Sequence, residues 1–361
     1  MSPGGMLRSI YRRVTSGGGD DVIKQRPDGF YTAKVTDALF SKTVPDIDGD
    51  ECLHDCSSCS IKYPKKWSID EEDKLYGHIN LDGRHLIVAT GETDWVRAVE
   101  DVKGSVMEAV GEHIDKVAGG KLMLSASNIP PPDMQGDHIG PYGIDRPTTV
   151  LLMPSFTFVD NVTPKYVPEL IESVINTAPT STTPLDLEPE SESNGNGEVP
   201  HTTLPSPPKD LPAGLSLRAC PHKYIILLCS QATRDGRCGQ SAPLLRKELE
   251  RHLRPLGLFR DLHDERPGGV GIYFISHVGG HKYSANVMIY RRAEQRRTVR
   301  EQINGDTKAE DGEAAQCIWL ARIRPEDCEN LVRYTVLQGK VVKPERQLRG
   351  GWDREKGVVS W

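Results

Sequence analysis

Short apolar runs and amphipathic stretches follow one another twice along this chain. In the first half, RHLIVATG (84–91), KLMLSAS (121–127) and TTVLLMPSFTFV (148–159) are apolar runs bounded by turn residues, which predicts buried strands, the last one turned at Pro154. TDWVRAVEDVKGSVMEAVGEHIDKVA (93–118) has helical periodicity, with Thr93 or Asp94 as N-cap and a break at Gly104. KYVPELIESVI (165–175) predicts a second helix, and the Pro- and Gly-rich stretch 129–147 a loop. In the second half, HKYIILLC (222–229), GVGIYFISH (269–277), SANVMIY (284–290) and QCIWLARI (316–323) predict strands, the second and third forming a hairpin. SAPLLRKELERHL (241–253) predicts a helix capped by Ser241 with Pro243 in its first turn, and PEDCENLVRYTVLQGK (325–340) another. The polar stretch 292–315 reads as an exposed, partly helical excursion.

Between the halves, residues 177–216 are dominated by Pro, Ser, Thr, Asn, Gly and acids. So few large apolar residues cannot offset the entropy of ordering the segment, which reads as a disordered linker. The pattern is that of an α/β protein. Residues 1–29 form a flexible N-terminus, 30–176 an N-terminal domain, and 217–361 a C-terminal domain whose element order is close to a thioredoxin-like sheet. The first half has a similar order, so two thioredoxin-like domains are expected.

Composition narrows the function. A net charge of −6 without a dense Lys/Arg stripe argues against nucleic-acid binding, and no apolar run is long enough to span a bilayer. Eight cysteines in 361 residues are too sparse for a disulfide scaffold, and their clustering suggests ligands or redox thiols. Cys220, Cys317 and Cys328 stand alone and read as core thiols. Residues 1–19 carry Arg8, Arg12 and Arg13 with Leu7, Ile10, Tyr11 and Val14 on one helical face, a pattern like a mitochondrial presequence. A mitochondrial matrix location is therefore expected, with the cytoplasm as the alternative.

The candidate chemistry lies in the second half. Cys229 and Cys238 flank SQATRDGR, and His277 and His281 flank Val278, Gly279 and Gly280. Cys229 and His277 each end a predicted strand, where α/β folds place their chemistry. Two thiols and two imidazoles suffice for a zinc ion or a [2Fe-2S] cluster. Glycines between the histidines let the backbone curl around such a group, while Lys282 and Asn286 are candidate neighbours. A second run, CLHDCSSC, holds Cys52, Cys56 and Cys59 with His54 and is a candidate metal or redox loop. A dithiol oxidoreductase using Cys229 and Cys238 is a third reading, weakened by a spacing of eight that takes both thiols away from a single helix start. No motif for a substrate pocket is present, so the chain reads as an electron carrier rather than an enzyme with its own substrate.

CSQATRDGRC followed by HVGGHKYSANVMIY resembles the sucrase/ferredoxin-like family of thioredoxin-like ferredoxins, in its fungal altered-inheritance-of-mitochondria and actin-patch-distribution branches, and ATGETDW (89–95) resembles it too. The resemblance implies a [2Fe-2S] cluster with Cys229 and Cys238 on one iron and His277 and His281 on the other, unlike Rieske proteins. It implies electron exchange with a reductase or acceptor protein. Neutral imidazoles make a cluster easier to reduce than thiolates do, and their outer nitrogens couple electron uptake to proton uptake. Val359-Ser360-Trp361 resembles the tripeptide that recruits cytosolic iron–sulfur assembly machinery, with Val in place of the usual Leu, Ile or Met.

Overall fold

The computed structural model describes residues 23–80, 82–132, 146–185, 211, 214–293 and 312–361. The presequence-like stretch, most of the 292–315 excursion and the middle of the linker segment lie outside the described residues. The strands are β1 Ile23–Gln25, β2 Tyr31–Ala33, β3 Arg84–Ala89, β4 Leu122–Ser127, β5 Thr148–Met153, β6 Thr157–Val162 and β7 Ser216–Ala219, then β8 Tyr224–Cys229, β9 Phe259–Arg260, β10 Val270–Ile275, β11 Val287–Arg292, β12 Ala314–Leu320, β13 Leu348–Asp353 and β14 Val358–Val359. They join one mixed sheet in the order β1-β2-β14-β13-β12-β11-β8-β10-β4-β3-β5-β6-β7, with β9 beside β10.

The middle of that order contains one four-strand unit twice. β4 lies parallel to β3, β5 antiparallel to β3, and β6 antiparallel to β5. In the second half β10 lies parallel to β8, β11 antiparallel to β8, and β12 antiparallel to β11. Each parallel pair is joined by a crossover that carries a helix, as parallel strands require. The units meet where β4 and β10 pair antiparallel at Ser127 and Ile275. Side chains close this seam: the Phe274 N–H donates to Asn128 Oδ1 at 2.7 Å, and Ser127 Oγ donates to the Phe274 carbonyl at 2.8 Å. The hairpin expected between 269–277 and 284–290 does not form. β10 enters a parallel slot beside β8 and gives its other edge to β4, so β11 pairs with the opposite edge of β8.

Strand residues alternate between two apolar layers, as a two-residue side-chain period dictates. Leu86, Val88, Ile226, Leu228, Ile272 and Phe274 face the layer that contains Met107, Leu170, Leu245, Leu249 and Leu331 of the helices. Ile87, Leu227, Tyr273, Ile275, Met288 and Trp319 face the other layer. Both faces are thus buried, which explains why these strands read as continuous apolar runs. Within the second layer His85 of β3 lies 3.0 Å from Tyr290 Oη of β11 and 2.9 Å from Ser125 Oγ.

Two buried imidazoles set a pH dependence. Burial pushes His85 down to about 3 and His222 down to about 4. The unfolded chain binds protons on these groups below about pH 6.5, so folding is weakened as the pH falls from there toward the folded values, by up to about 1.4 kcal/mol per pH unit for each proton. Urea midpoints measured from pH 7.5 to 4.5 should fall on acidification. An unchanged slope in a His85→Gln, His222→Gln double variant would remove these groups as the cause.

Helix starts differ from the expectation. The helix expected over 93–118 begins at Val106, capped by Ser105, whose Oγ accepts from the Glu108 N–H at 3.0 Å. Glu108 also accepts the Gly104 N–H at 2.7 Å, one residue before the cap, and so fixes the chain's entry to the helix. Asp94 is instead committed to a contact with the second half. The helix expected from Ser241 begins at Gly236 and runs to Leu253, capped by Asp235, with Pro243 inside it. The expected linker is ordered at both ends. Arg84 donates to the Ala178 carbonyl at 2.9 Å and Arg354 to the Thr183 carbonyl at 2.6 Å, while β7 adds to the edge of β6. These nearly buried guanidiniums require acceptors, and the segment after Asn176 supplies them.

Candidate metal centre

The register of β8 against β10 assembles the site. Cys229 pairs with Ile275, so the loops leaving both strands emerge side by side. After Cys229 the chain turns and enters the long helix Gly236–Leu253. Asp235 caps it, accepting from the Arg237 N–H at 2.9 Å, and Cys238 falls in the first turn. The expectation that both thiols sit on a loop away from a helix start is therefore corrected for Cys238. Local chemistry explains the early start: Asp235 is a strong N-cap, and its second oxygen binds the Arg237 guanidinium at 2.7 Å.

The two thiols share a hydrogen bond and are buried, at 2% and 0% exposure. The thiol of Cys229 is pushed well up by that bond to Cys238 and by burial, whereas Cys238 is held below the ordinary thiol range by the bond from Cys229, with help from Ser284. Ser284 Oγ donates to Cys238 Sγ at 3.7 Å. Backbone N–H groups of Val278 and Gln231 also point at Cys229 and favour its thiolate. The hydrogen bond between the sulfurs and the donors around them favour a thiolate on Cys238, which suits a pair that is to carry negative charge toward a cation.

The imidazoles of His277 and His281 lie with ring centroids 5.0 Å apart. Both Nδ1 atoms are buried without a hydrogen-bond partner. His281 Nε2 faces Asp235 Oδ2 at 4.0 Å, which ties the histidine loop to the helix that carries Cys238. Burial and the neighbouring His281 push His277 down to about 4, so its ring is neutral at physiological pH and offers a lone pair. Gly279 and Gly280 take φ of 83° and 68°, the left-handed region. A Cβ on Gly280 would also lie 2.8 Å from the Arg349 guanidinium. Gly280→Ala should therefore cost about 1–2 kcal/mol in backbone strain alone, read as a lowered urea midpoint.

Arg349 lies behind the histidine loop and is nearly buried. Its Nη1 donates to the Gly279 carbonyl at 3.0 Å and to Asn286 Oδ1 at 2.8 Å, and its guanidinium lies 4.6 Å from the Trp319 ring. Asn286 Nδ2 in turn donates to the Gly280 carbonyl at 3.0 Å. Lys282, the expected positive neighbour, is instead paired with Asp70 at 3.4 Å and with Asp73. The buried positive charge against the site is Arg349, beside the less buried Arg234 and Arg237 of the cysteine loop, and the sequence pattern carries no local signal for Arg349.

The first half holds the cysteine loop in place. Ser230 Oγ donates to the Thr93 carbonyl at 2.7 Å, and Asp94 accepts from the N–H and hydroxyl of Thr233 at 3.0 and 2.8 Å. Gln231, 1% exposed, donates to the Trp95 and Val96 carbonyls at 3.3 and 2.5 Å and accepts the His277 N–H at 2.8 Å. One amide thereby links ATGETDW, the cysteine loop and the histidine loop. Gln231→Ala strands buried partners and should cost about 1–3 kcal/mol, measurable by denaturation.

The sucrase/ferredoxin-like family profile matches residues 75–350, which includes all four candidate ligands and the clamping loop. The chain belongs to the sucrase/ferredoxin-like family. Actin patches distal protein 1 of Saccharomyces cerevisiae is 28% identical over 291 residues, 77% of each chain. Altered inheritance of mitochondria protein 32 is 30% identical in Clavispora lusitaniae over 122 residues, 34% of this chain and 33% of that one. Its counterpart in Meyerozyma guilliermondii is 29% identical over 136 residues, 38% and 35% of the two chains. No solved structure matches the chain.

The other sequence candidates of this family member lie apart from the four residues. Cys56 and Cys59 pack near the opposite end of the long helix, where Cys56 Sγ is 3.8 Å from His252 Nε2, and Cys52 is buried. Trp361 packs against the second apolar layer, and its carbonyl accepts from Arg26 Nη1 and Thr32 Oγ1, each at 2.9 Å. Cys220, Cys317 and Cys328 are buried, as lone core thiols should be. No described helix is long and apolar enough to cross a membrane.

Proposed function

We propose that the chain is an electron-transfer protein with two thioredoxin-like halves, the second holding a [2Fe-2S] cluster on Cys229, Cys238, His277 and His281. The observation that carries this reading is the pair of buried, unpartnered Nδ1 atoms in the loop beside a buried, hydrogen-bonded thiol pair. The donors also fall into two pairs rather than one knot. The compact group of three donor atoms within 4.8 Å of one another among the described residues is elsewhere. A lone tetrahedral zinc, with bonds of about 2.0–2.3 Å, would draw all four together. When bound, such a cluster accepts and returns one electron at a time.

The chain's own residues would do the rest. Cys229 and Cys238 supply negative charge, and the Val278 and Gln231 N–H groups offset it. Ligation through the free Nδ1 atoms of His277 and His281 would leave each Nε2 to hold or release a proton, and Asp235 Oδ2, 4.0 Å from His281 Nε2, is placed to accept from that N–H. Reduction should then take up a proton, so the midpoint potential falls as pH rises through the imidazole range. A reductase or acceptor protein would approach through the cleft of about 1030 Å³ lined by His277, Gly279, Gly280 and Arg349. The names of the altered-inheritance-of-mitochondria relatives support a mitochondrial involvement, and we place the chain in the matrix, with the cytoplasm as the alternative. Recruitment of assembly machinery through Trp361 would require its carbonyl to leave Arg26 and Thr32.

Anaerobic purification with metal analysis and visible spectra tests this. A brown protein bleached by dithionite is expected. A colourless protein with zinc at these residues would replace the reading. The placement of Cys238 in a helix's first turn favours one rival, a thiol–disulfide oxidoreductase. That rival predicts dithiol activity without metal and indifference to His277→Ala.

A further inference from the structure

We infer that a second metal centre, of the zinc class, forms at the far end of the long helix, held by Cys56, His252 and Glu329 with Cys59 as a further donor. One donor atom from each of the first three lies within 4.8 Å of the other two, and Cys56 Sγ is 3.8 Å from His252 Nε2. Ligands on one tetrahedral zinc stand about 3.5–4 Å apart, given its bond lengths of about 2.0–2.3 Å. Cys56 is buried at 9% exposure, and the His252 side chain is 13% exposed. The carboxylate of Glu248, 1% exposed, lies 3.3 Å from His252 Nε2 and contacts Cys59.

The segment is docked rather than loosely apposed. The Cys56 N–H donates to the Glu326 carbonyl at 3.0 Å, and Asn330 Nδ2 donates to the His54 carbonyl at 2.8 Å. Arg251 shows what the donor set attracts. Its guanidinium donates to Cys56 Sγ at 3.3 Å and to Glu248, and lies 3.0 Å from His252 Nε2. His252 Nε2 thus lies between a guanidinium and the Glu248 carboxylate, and a cation replacing the guanidinium would meet its lone pair. Arg251 is 42% exposed, so it supplies a positive charge from a side chain that solvent can take back when a cation arrives. Thiolate, imidazole and carboxylate donors together suit zinc and not calcium or magnesium. The centre is distinct from the first one. Cys238 and His252 lie in the first and last turns of one helix, about 21 Å apart at 1.5 Å per residue. An ion here would clamp the segment around Cys56 onto the second half, so its binding would be coupled to folding.

The full chain, purified anaerobically from medium supplied with iron and zinc, is expected to hold a single equivalent of zinc in addition to iron. Cys56→Ser and His252→Gln should weaken zinc binding, measured by equilibrium dialysis, by at least about tenfold while iron content and visible spectrum stay unchanged. Glu329→Gln, on a partly exposed side chain, tests the same affinity without risk to the core. Cobalt(II) in place of zinc should give a thiolate charge-transfer band that Cys56→Ser removes. Zinc absent from the wild-type chain, unaffected by these variants, or lost only together with iron in Cys229→Ser would overturn the inference.

Discussion

Cys229→Ser protein should purify colourless and without iron, although folded by far-ultraviolet circular dichroism, whereas His281→Cys should keep iron and shift its midpoint potential downward. Cys229 sits at 2% exposure at the end of a central strand, with Cys238, the Val278 N–H and the Gln231 N–H around its sulfur. No other thiol is placed to replace it: Cys220 and Cys317 lie in the second apolar layer with burial pushing both up, to about 11 and about 12. Exchanging an imidazole for a thiolate adds a negative charge to the ligand set. Across iron–sulfur proteins such exchanges move potentials by on the order of hundreds of millivolts. A brown Cys229→Ser protein, or a His281→Cys protein with an unchanged potential, would contradict the ligand assignment.

Arg349→Met should destabilise the chain by about 2–4 kcal/mol and also lower the midpoint potential. The Gly279 carbonyl and Asn286 Oδ1 lose their shared donor, and the Trp319 ring loses the guanidinium 4.6 Å away. Burial pushes the guanidinium down to about 10, so it remains charged at neutral pH, and its removal takes a positive charge from behind the histidine loop. Arg349→Lys should recover part of the potential and less of the stability, because an ammonium on a flexible stem cannot reproduce the planar stack. Urea titration and a potentiometric titration separate the two effects. Loss of stability with an unmoved potential would make Arg349 a packing residue only.

Strand positions and the candidate thiol and imidazole pairs were legible because their signals are local. A strand buried on both faces is a continuous apolar run, and Cys229 and His277 end such runs. Asn286 bonding the histidine loop followed from the same proximity. Helix starts were less legible. Asp94 has the chemistry of an N-cap but is used by Thr233, 139 positions further along the chain. Asp235 was overshadowed by Ser241, whose following Pro243 looks like a first-turn proline. Lys282 adjoins a candidate ligand in sequence, yet its charge is taken by Asp70 and Asp73.

By itself the sequence determined the α/β class and the repeated element order and singled out four candidate donors, since hydrophobic period and side-chain chemistry are properties of single segments. Tertiary structure decided which edges pair, so that β4 and β10 join the halves and β11 goes to β8. It also decided which groups support the donors: Gln231 reaching the first half, Arg349 rather than Lys282 behind the loop, and His252 beside Cys56. Those choices depend on burial and on acceptors contributed by distant segments, and no local pattern encodes where a buried guanidinium or amide will find its partners.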